Sequence, residues 1–382
     1  MVFGGSGRHS SGAAHPPASV AHRAKPPVVS GPRERPDWDG DGREVTFAFG
    51  GDVHFPAGSN LGDRLSDDPT TALGPTVPQL LSGATLSMVN LESALTEGTC
   101  PSPQSKTYVF YAPASAIDAF RHAGVTLITN TNNHGEDCGP GGLQQALAIK
   151  SRTGYPILGI GQNADQAFAP YKTVIKGQRI AIIAATQVID SDLQQAWTAT
   201  ATQPGLASAY DVSALVSAVE KVRRWADTVI VYLHWGTQLD ACPNPLQEPL
   251  ANALVKAGAD IVVGTHAHVL LGGGYLGSAY VDYGLGNFAF YDNTPPENQS
   301  GSLVITATGR RIDAVTWRPA VIVDDLPQPL SGTAAAGALA NWNAARSCTD
   351  ATATPGPSIA TAASESSPVT PAVAAQLSTD DT

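Results

Sequence analysis

Five short apolar runs in this sequence are each followed by side chains that can bind a metal ion. The eight side chains concerned are Asp52, His54, Glu92, Asn133, His134, His234, His266 and His268. Imidazole, carboxylate and amide oxygen, with no thiolate among them, suit manganese, zinc or iron. The set therefore predicts a centre for two divalent metal ions, which could clamp a phosphoryl group during hydrolysis.

Three of these residues differ in the part they could play. Two cations about 3.5–4 Å apart need a bridging carboxylate, and Glu92 is the natural bridge. Asn133 offers a neutral carbonyl oxygen. His134 is next to it in the chain and is free to act as an acid, because histidine titrates near neutral pH.

Each residue taken singly has an ordinary structural interpretation. A histidine after a strand is usually a loop residue, Asp52 could cap a turn, and Glu92 could be a charge at a helix N-terminus. The joint occurrence after five strands favours the metal centre. The remaining histidines are assigned no role: His9, His15, His22 and His122.

Strands and helices must alternate along the chain to place these residues together. Apolar runs rich in Val, Ile and Leu predict strands at Glu44–Gly50, Thr85–Asn90, Val125–Asn130, Arg179–Thr186, Thr228–Leu233, Asp260–Gly264, Tyr280–Gly284 and Ser302–Thr308. Spacing of i, i+3 and i+4 predicts helices at Ala114–Ala123, Gly141–Thr153, Val212–Ala226 and Gln247–Ala257. Alternation of this kind is typical of a layered α/β fold, in which ligands bind beyond the carboxyl ends of the strands.

The motifs GDVH, NLE, NNHGEDCG, HWG, GTHAH and YGLGNF, in this order, resemble the CapA family of capsule and poly-gamma-glutamate synthesis proteins. That family lies within the calcineurin-like metallophosphatase superfamily, and the resemblance covers about residues 45–292. It implies a four-layered α/β/β/α sandwich of the metallophosphoesterase type, with two sheets face to face and helices outside.

The resemblance also implies how the ligands divide between the two metals. One metal would be held by Asp52, His54, Glu92 and His268. The other would be held by Glu92, Asn133, His234 and His266. Glu92 takes the place of the usual bridging aspartate, as in other CapA-like chains.

Two further residues have alternative interpretations. Asp137 follows His134 by three positions and could orient its imidazole, or it could be a turn residue in GEDCGPGG. Asn287 could hydrogen-bond a ligand loop, although a structural role is preferred.

The implied reaction is metal-assisted hydrolysis of an ester or amide-like bond, with His134 protonating the leaving group. The implied setting is the cell envelope, where the chain would act in making, anchoring or releasing an anionic polymer, together with assembly partners. One alternative is a non-catalytic polymer-binding or assembly factor that keeps the fold. Another is a cytoplasmic nucleotide phosphoesterase.

The net charge of −11 gives no general field that attracts nucleic acid, so no nucleic-acid partner is expected. An anionic polymer or phosphoester substrate would be attracted locally by the metals.

Four cysteines in loop-like sequence favour disulfides and an oxidising compartment, against free thiols in the cytoplasm. Three pairings are open, with Cys100–Cys138 and Cys242–Cys348 preferred. The N-terminus lacks the apolar core of a secretory signal, which favours the cytoplasm instead. We therefore expect an extracellular or envelope location, with the cytoplasm as the alternative.

Composition predicts a disordered leader over residues 1–42 and a disordered tail over 346–382. The resemblance implies that the region between them, 43–345, is a CapA-like metallophosphatase domain. The leader is poor in bulky apolar residues, and the tail is rich in Ala, Thr, Ser and Pro.

Overall fold

The computed structural model describes residues 40–359, so most of the predicted leader and residues 360–382 of the predicted tail lie outside the described residues. The strands, in chain order, are β1 Val45–Val53, β2 Leu86–Leu91, β3 Ala94–Thr96, β4 Tyr111–Pro113, β5 Leu127–Thr129, β6 Ile157–Leu158, β7 Ile160–Gly161, β8 Tyr171–Ile175, β9 Gln178–Thr186, β10 Gly205–Leu206, β11 Thr228–Trp235, β12 Ile261–His266, β13 Gly273–Leu276, β14 Ala279–Asp282, β15 Asn287–Ala289, β16 Gln299–Thr308, β17 Arg311–Val323 and β18 Leu326–Pro329. The helices are α1 Asn60–Asp67, α2 Thr76–Leu81, α3 Ala116–His122, α4 Gly139–Thr153, α5 Ala164–Ala167, α6 Gln194–Trp197, α7 Val212–Arg223, α8 Gln247–Ala257 and α9 Gly332–Ala345.

Two large sheets carry the fold. The first has eight strands in the order β18-β17-β16-β1-β2-β5-β6, with β15 also paired to β1. The second has six strands in the order β13-β14-β12-β11-β9-β8. The pairs β1–β2, β2–β5, β9–β11 and β11–β12 are parallel. Parallel pairing brings the carboxyl ends of neighbouring strands to the same edge of each sheet.

The two sheets pack face to face, and their strands are therefore buried on both sides. In β11, Ile230 and Tyr232 point into the core between the sheets, whereas Val229 and Val231 point outward. Side chains alternate between the two faces of a strand, so a continuous apolar run fits this position. The core between the sheets includes Phe47, Met88 and Leu127 from the first sheet and Ile182, Tyr232 and Val263 from the second.

Helices cover the outer faces of both sheets. Residues of α1 to α4 pack on the outer face of the first sheet, and residues of α7 and α8 pack on that of the second. This arrangement confirms the four-layered α/β/β/α sandwich. Within residues 40–359, no helix combines the length and apolar character needed to cross a membrane.

The predicted strands and helices are all present, with small shifts at their ends, and Gln247–Ala257 matches α8. Two long elements were not predicted. Strand β17 alternates half-exposed residues with few buried ones, and α9 buries only Trp342. Neither sequence therefore shows the apolar run or stripe on which the predictions depend.

Ordered structure also continues past the predicted end of the domain at residue 345. Cys348 is bonded to Cys242, Tyr283 Oη donates to Asp350 Oδ1 at 2.6 Å, and the backbone of Thr352 pairs with Tyr275. A disordered tail beginning at residue 346 is therefore wrong for residues 346–359. The composition that suggested it carries no information about a disulfide or about pairing with an edge strand.

Candidate metal centre

The predicted ligands meet where the strands of the two sheets end. Asp52 is the residue before the last of β1, and Glu92 follows β2 directly. His234 lies near the end of β11, and His266 is the last residue of β12. The centre is thus assembled from both sheets, and its ligands are up to 216 residues apart in the chain, from Asp52 to His268.

A close backbone approach positions Asp52. A Cβ atom at Gly51 would lie 1.8 Å from the carbonyl oxygen of Gly286, so only glycine fits there. The next residue uses this proximity, because the Asp52 N–H donates to the same oxygen at 3.0 Å.

The two histidines of the GTHAH motif have unusual backbone conformations. His266 has φ 102° and His268 has φ 58°, in the region that side chains other than glycine rarely adopt. Such conformations cost about 1–3 kcal/mol each and are concentrated at functional sites. The turn lets the His266 N–H donate to Asp52 Oδ2 at 3.0 Å.

Two groups of three side chains lie close enough together to hold a metal ion, and Glu92 belongs to both. One group is Glu92, His234 and His266, and the other is Asp52, Glu92 and His268. Within each group one ligand atom per residue lies within 4.8 Å of the others. Asn133 joins the first group, since its Oδ1 lies 2.7 Å from His234 Nε2. The structure therefore brings together all four predicted ligands of one metal and three of the other.

His54 is the predicted ligand that lies outside both groups. Its Nδ1 is 2.7 Å from the hydroxyl of Ser93, and its ring stacks on Phe110 with centroids 3.9 Å apart. It is nearly completely buried beside the centre. Its role as a ligand stays a prediction.

The carboxylate of Glu92 shows that the residues present fit a cation. Both of its oxygens are buried and have no hydrogen-bond partner among the described residues. Oε1 lies 3.5 Å from His234 Nε2 and 3.6 Å from His268 Nε2. A buried carboxylate without a partner is costly, and a bound cation removes that cost.

Surrounding polar groups orient the ligands. Asn90 Nδ2 donates to Asp52 Oδ1 at 2.8 Å, and Asn287 Oδ1 lies 2.7 Å from His268 Nδ1. The contact from Asn287 leaves Nε2 of His268 facing Glu92, which fixes the tautomer a ligand needs. Asn287 therefore does contact a ligand loop, which was the less favoured interpretation of its sequence position.

His134 and Asp137 form a pair at the edge of the centre. His134 Nδ1 lies 2.5 Å from Asp137 Oδ2, so Nε2 is the ring nitrogen left for other partners. Asp137 is fully buried and also accepts the Phe110 N–H at 2.7 Å and Lys106 Nζ at 3.0 Å. The sequence allowed two interpretations of Asp137, as a residue that orients the His134 imidazole or as a turn residue. The contact with Nδ1 is the first of these.

Burial sets the protonation tendencies of the centre when no cation is present. Burial raises the pKa of Glu92 well above its usual value, and the negative charge of Asp52 adds to this effect. Burial lowers the pKa of His234 and His266 well below the usual value. Neutral imidazoles are the form that binds metal, whereas the carboxyl group must lose its proton when a cation enters.

Several residues of the centre were missed from the sequence. Neither Lys106 nor Phe110 has a side chain that binds metal, and the ring of Phe110 is stacked between His54 and His134. Asn90 did carry a signal, because it is a polar residue near the end of an otherwise apolar strand.

The chain is similar to several known proteins. The capsule biosynthesis protein CapA of Bacillus anthracis is 32% identical over 183 residues, which cover 47% of this chain and 43% of that protein. The PGA biosynthesis protein CapA of Bacillus subtilis (strain 168) is 30% identical over 176 residues, covering 46% of this chain and 45% of that protein. The matched stretch thus spans less than half the length of either relative.

Among solved structures, a hypothetical protein from Thermus thermophilus has a TM-score of 0.45 and 14% identity, and the match covers 73% of this chain and 100% of that chain. A family model described as bacterial capsule synthesis protein PGA_cap matches residues 46–292. That stretch is more than half of the chain and contains every predicted ligand. The chain belongs to the bacterial capsule synthesis protein PGA_cap family.

Proposed function

We propose that this chain is a metal-dependent hydrolase that holds two divalent cations, of manganese, zinc or iron, and shares Glu92 between them. The observation that carries the proposal is the buried carboxylate of Glu92, which has no hydrogen-bond partner among the described residues and belongs to both groups of candidate ligands. Asp52 and His268 complete one site, with His54 as the predicted fourth ligand. Asn133, His234 and His266 complete the other.

The chain's own residues divide the remaining work. Bound cations would supply Lewis-acid chemistry, polarising the oxygen of the scissile bond. His134, held through Nδ1 by Asp137, presents Nε2 as the atom that exchanges a proton with the leaving group. Asn90 and Asn287 hold Asp52 and His268 in place.

We further propose that the substrate is an anionic polymer or phosphoester of the cell envelope, and that the chain acts in the synthesis, anchoring or release of such a polymer. The names of the two relatives refer to capsule and PGA biosynthesis, which supports this class of substrate. The disulfides Cys100–Cys138 and Cys242–Cys348 support an oxidising location outside the cytoplasm.

Metal content and turnover test the proposal. We expect the purified chain to hold about two equivalents of metal and to hydrolyse at least one of a phosphodiester, a phosphomonoester or a γ-glutamyl substrate. Asn133→Ala and His268→Ala should each lower kcat/KM at least about 100-fold, since even residues that only orient ligands contribute 10–100-fold. His122→Ala, on the exposed surface of α3, is the matched control and should change neither quantity.

Two results would contradict the proposal. A wild-type preparation that takes up no metal would remove its basis. Variants Asn133→Ala and His268→Ala that keep full metal content and full capsule phenotype would instead favour a non-catalytic assembly factor.

A further inference from the structure

The loop of residues 97–110 covers the turn that carries the acid pair. The disulfide Cys100–Cys138 joins this loop to the residue after Asp137. The Gln104 N–H donates to the backbone oxygen of Asp137 at 2.8 Å, and the Phe110 N–H donates to its carboxylate at 2.7 Å. The loop is therefore fixed to the Asp137 turn at three separate points.

Lys106, within this loop, makes three contacts at the edge of the centre. Its Nζ donates to the backbone oxygen of Asn133 at 2.5 Å and lies 3.0 Å from both Asp137 Oδ1 and Asp190 Oδ2. An ammonium group has three N–H donors, so these contacts use all of them. The side chain is only 13% exposed. Lys106 is thus committed to the protein and is not free to bind an anionic substrate.

The three acceptors lie on two loops, one after β5 and one after β9. Asn133 is a candidate ligand, whose Oδ1 lies 2.7 Å from His234 Nε2. Asp137 holds His134 through Nδ1. Asp190 follows β9 of the second sheet, whereas Lys106 lies in the loop between β3 and β4, which form a separate two-stranded sheet. One ammonium group therefore links a candidate ligand, the acid pair and the loop after β9.

We propose that Lys106 is a positioning residue: it holds the backbone of Asn133, which places the side-chain amide at the candidate metal centre, and it holds the His134–Asp137 pair beside it. This inference rests on the proposed function for its catalytic meaning. Its structural content, the fixed placement of two neighbouring groups by one lysine, can be measured without turnover.

Lys106→Met tests the proposal, because methionine keeps most of the side-chain length and removes the charge and all three donors. Two readouts apply to the full chain: Mn²⁺ affinity by calorimetry, and the downfield NMR signal of the His134 Nδ1–H, identified by its loss in His134→Gln. We expect Mn²⁺ affinity to fall about 10–100-fold and the signal to disappear. Lys106→Arg, which keeps the charge, should restore both at least in part.

Lys150→Met is the matched control. Lys150 is another partly buried lysine, which lies on α4 and donates to the backbone oxygen of Ile160 at 3.1 Å. Its replacement should leave Mn²⁺ affinity and the His134 signal unchanged. A role of Lys106 in stability alone would lower the melting temperature without changing either readout of the folded protein.

The outcomes separate the two proposals. If Lys106→Met folds and keeps both wild-type Mn²⁺ affinity and the His134 signal, Lys106 is not a positioning residue. If the wild type binds no Mn²⁺, the proposed function fails, and the His134 signal alone decides the role of Lys106. If Lys106→Met does not fold, Lys106→Gln takes its place, because it removes the charge and shortens the side chain but keeps a polar head group. Wild-type readouts in folded Lys106→Gln would overturn the inference.

Discussion

Asp137 is the residue on which the acid pair depends, because its buried carboxylate is the partner of His134 Nδ1. Asp137→Asn replaces the carboxylate with a neutral amide, in which only one of the two end atoms can accept, and should disturb the tautomer of His134. We expect kcat to fall about 10–100-fold while Mn²⁺ affinity changes less than about threefold. Steady-state kinetics on a substrate that the wild type hydrolyses give the first quantity, and calorimetry gives the second.

Asp118→Asn is a suitable control for that variant, since Asp118 pairs with Arg121 on the exposed surface of α3. Wild-type kcat in Asp137→Asn would assign Asp137 to the turn alone.

Individual residues could be identified from the sequence where the chemistry of the side chain is specific. Residues whose role depends on distant contacts were missed. Glu92 and His266 were recognisable because carboxylate and imidazole side chains follow apolar strands. Lys106 is an ordinary loop lysine in the sequence, and its proposed role comes from contacts with Asn133 and Asp137, which are 27 and 31 residues away. No local pattern reports a contact of that kind.

Elements were predictable where burial on both faces leaves a continuous apolar run. Strands β9, β11 and β12 have this character, and each was predicted close to its observed bounds. Strand β17 and helix α9 lie where one side is largely exposed, so their sequences lack the same contrast. For the turn after β12, the sequence predicted the two candidate ligands but not the backbone conformation. The positive φ angles of His266 and His268 are imposed by the surrounding structure.

The end of β1 offers a prediction about an element. Gly51→Ala would place a methyl group against the Gly286 carbonyl, where the ideal Cβ position is only 1.8 Å from the oxygen. One of the two strands must move, which we expect to destabilise the protein by about 2–3 kcal/mol and to weaken Mn²⁺ binding through Asp52. Denaturant unfolding and calorimetry measure the two effects.

Gly337→Ala gives the matched comparison. A Cβ atom at Gly337, in the middle of α9, meets nothing within 4 Å. This substitution should stabilise the protein by about 0.5–1 kcal/mol. Equal effects of the two substitutions would show that the approach of β1 to Gly286 is not tight.

For the whole molecule, the metal centre and the sandwich cannot be separated. Asp52, Glu92 and Asn133 come from the first sheet, and His234, His266 and His268 come from the second. The six side chains meet only when the sheets are packed together, so binding of the proposed cations would be coupled to folding. The same packing also buries carboxyl groups outside the candidate metal centre. These groups make the stability of the protein depend on pH.

Asp282, at the end of β14, is such a group. It is fully buried, and burial raises its pKa from 3.8 to about 7, although the Gly284 N–H donates to it. A pKa that is higher in the folded state means that the folded protein holds this proton more tightly than the unfolded chain. The contribution to stability is therefore fully present below about pH 4 and is lost as pH rises through about 7.

Asp282→Asn resembles the protonated acid at every pH, so it should remove this part of the pH dependence. Relative to the variant, the wild type should lose up to about 4 kcal/mol of stability between pH 4 and pH 8. Burial also raises the pKa of Glu136, to about 9. Its contribution to the pH dependence is the same in both proteins and cancels in the difference. Free energies of unfolding at intervals across this range measure the effect, and parallel pH profiles for the two proteins would show that folding does not raise the pKa of Asp282.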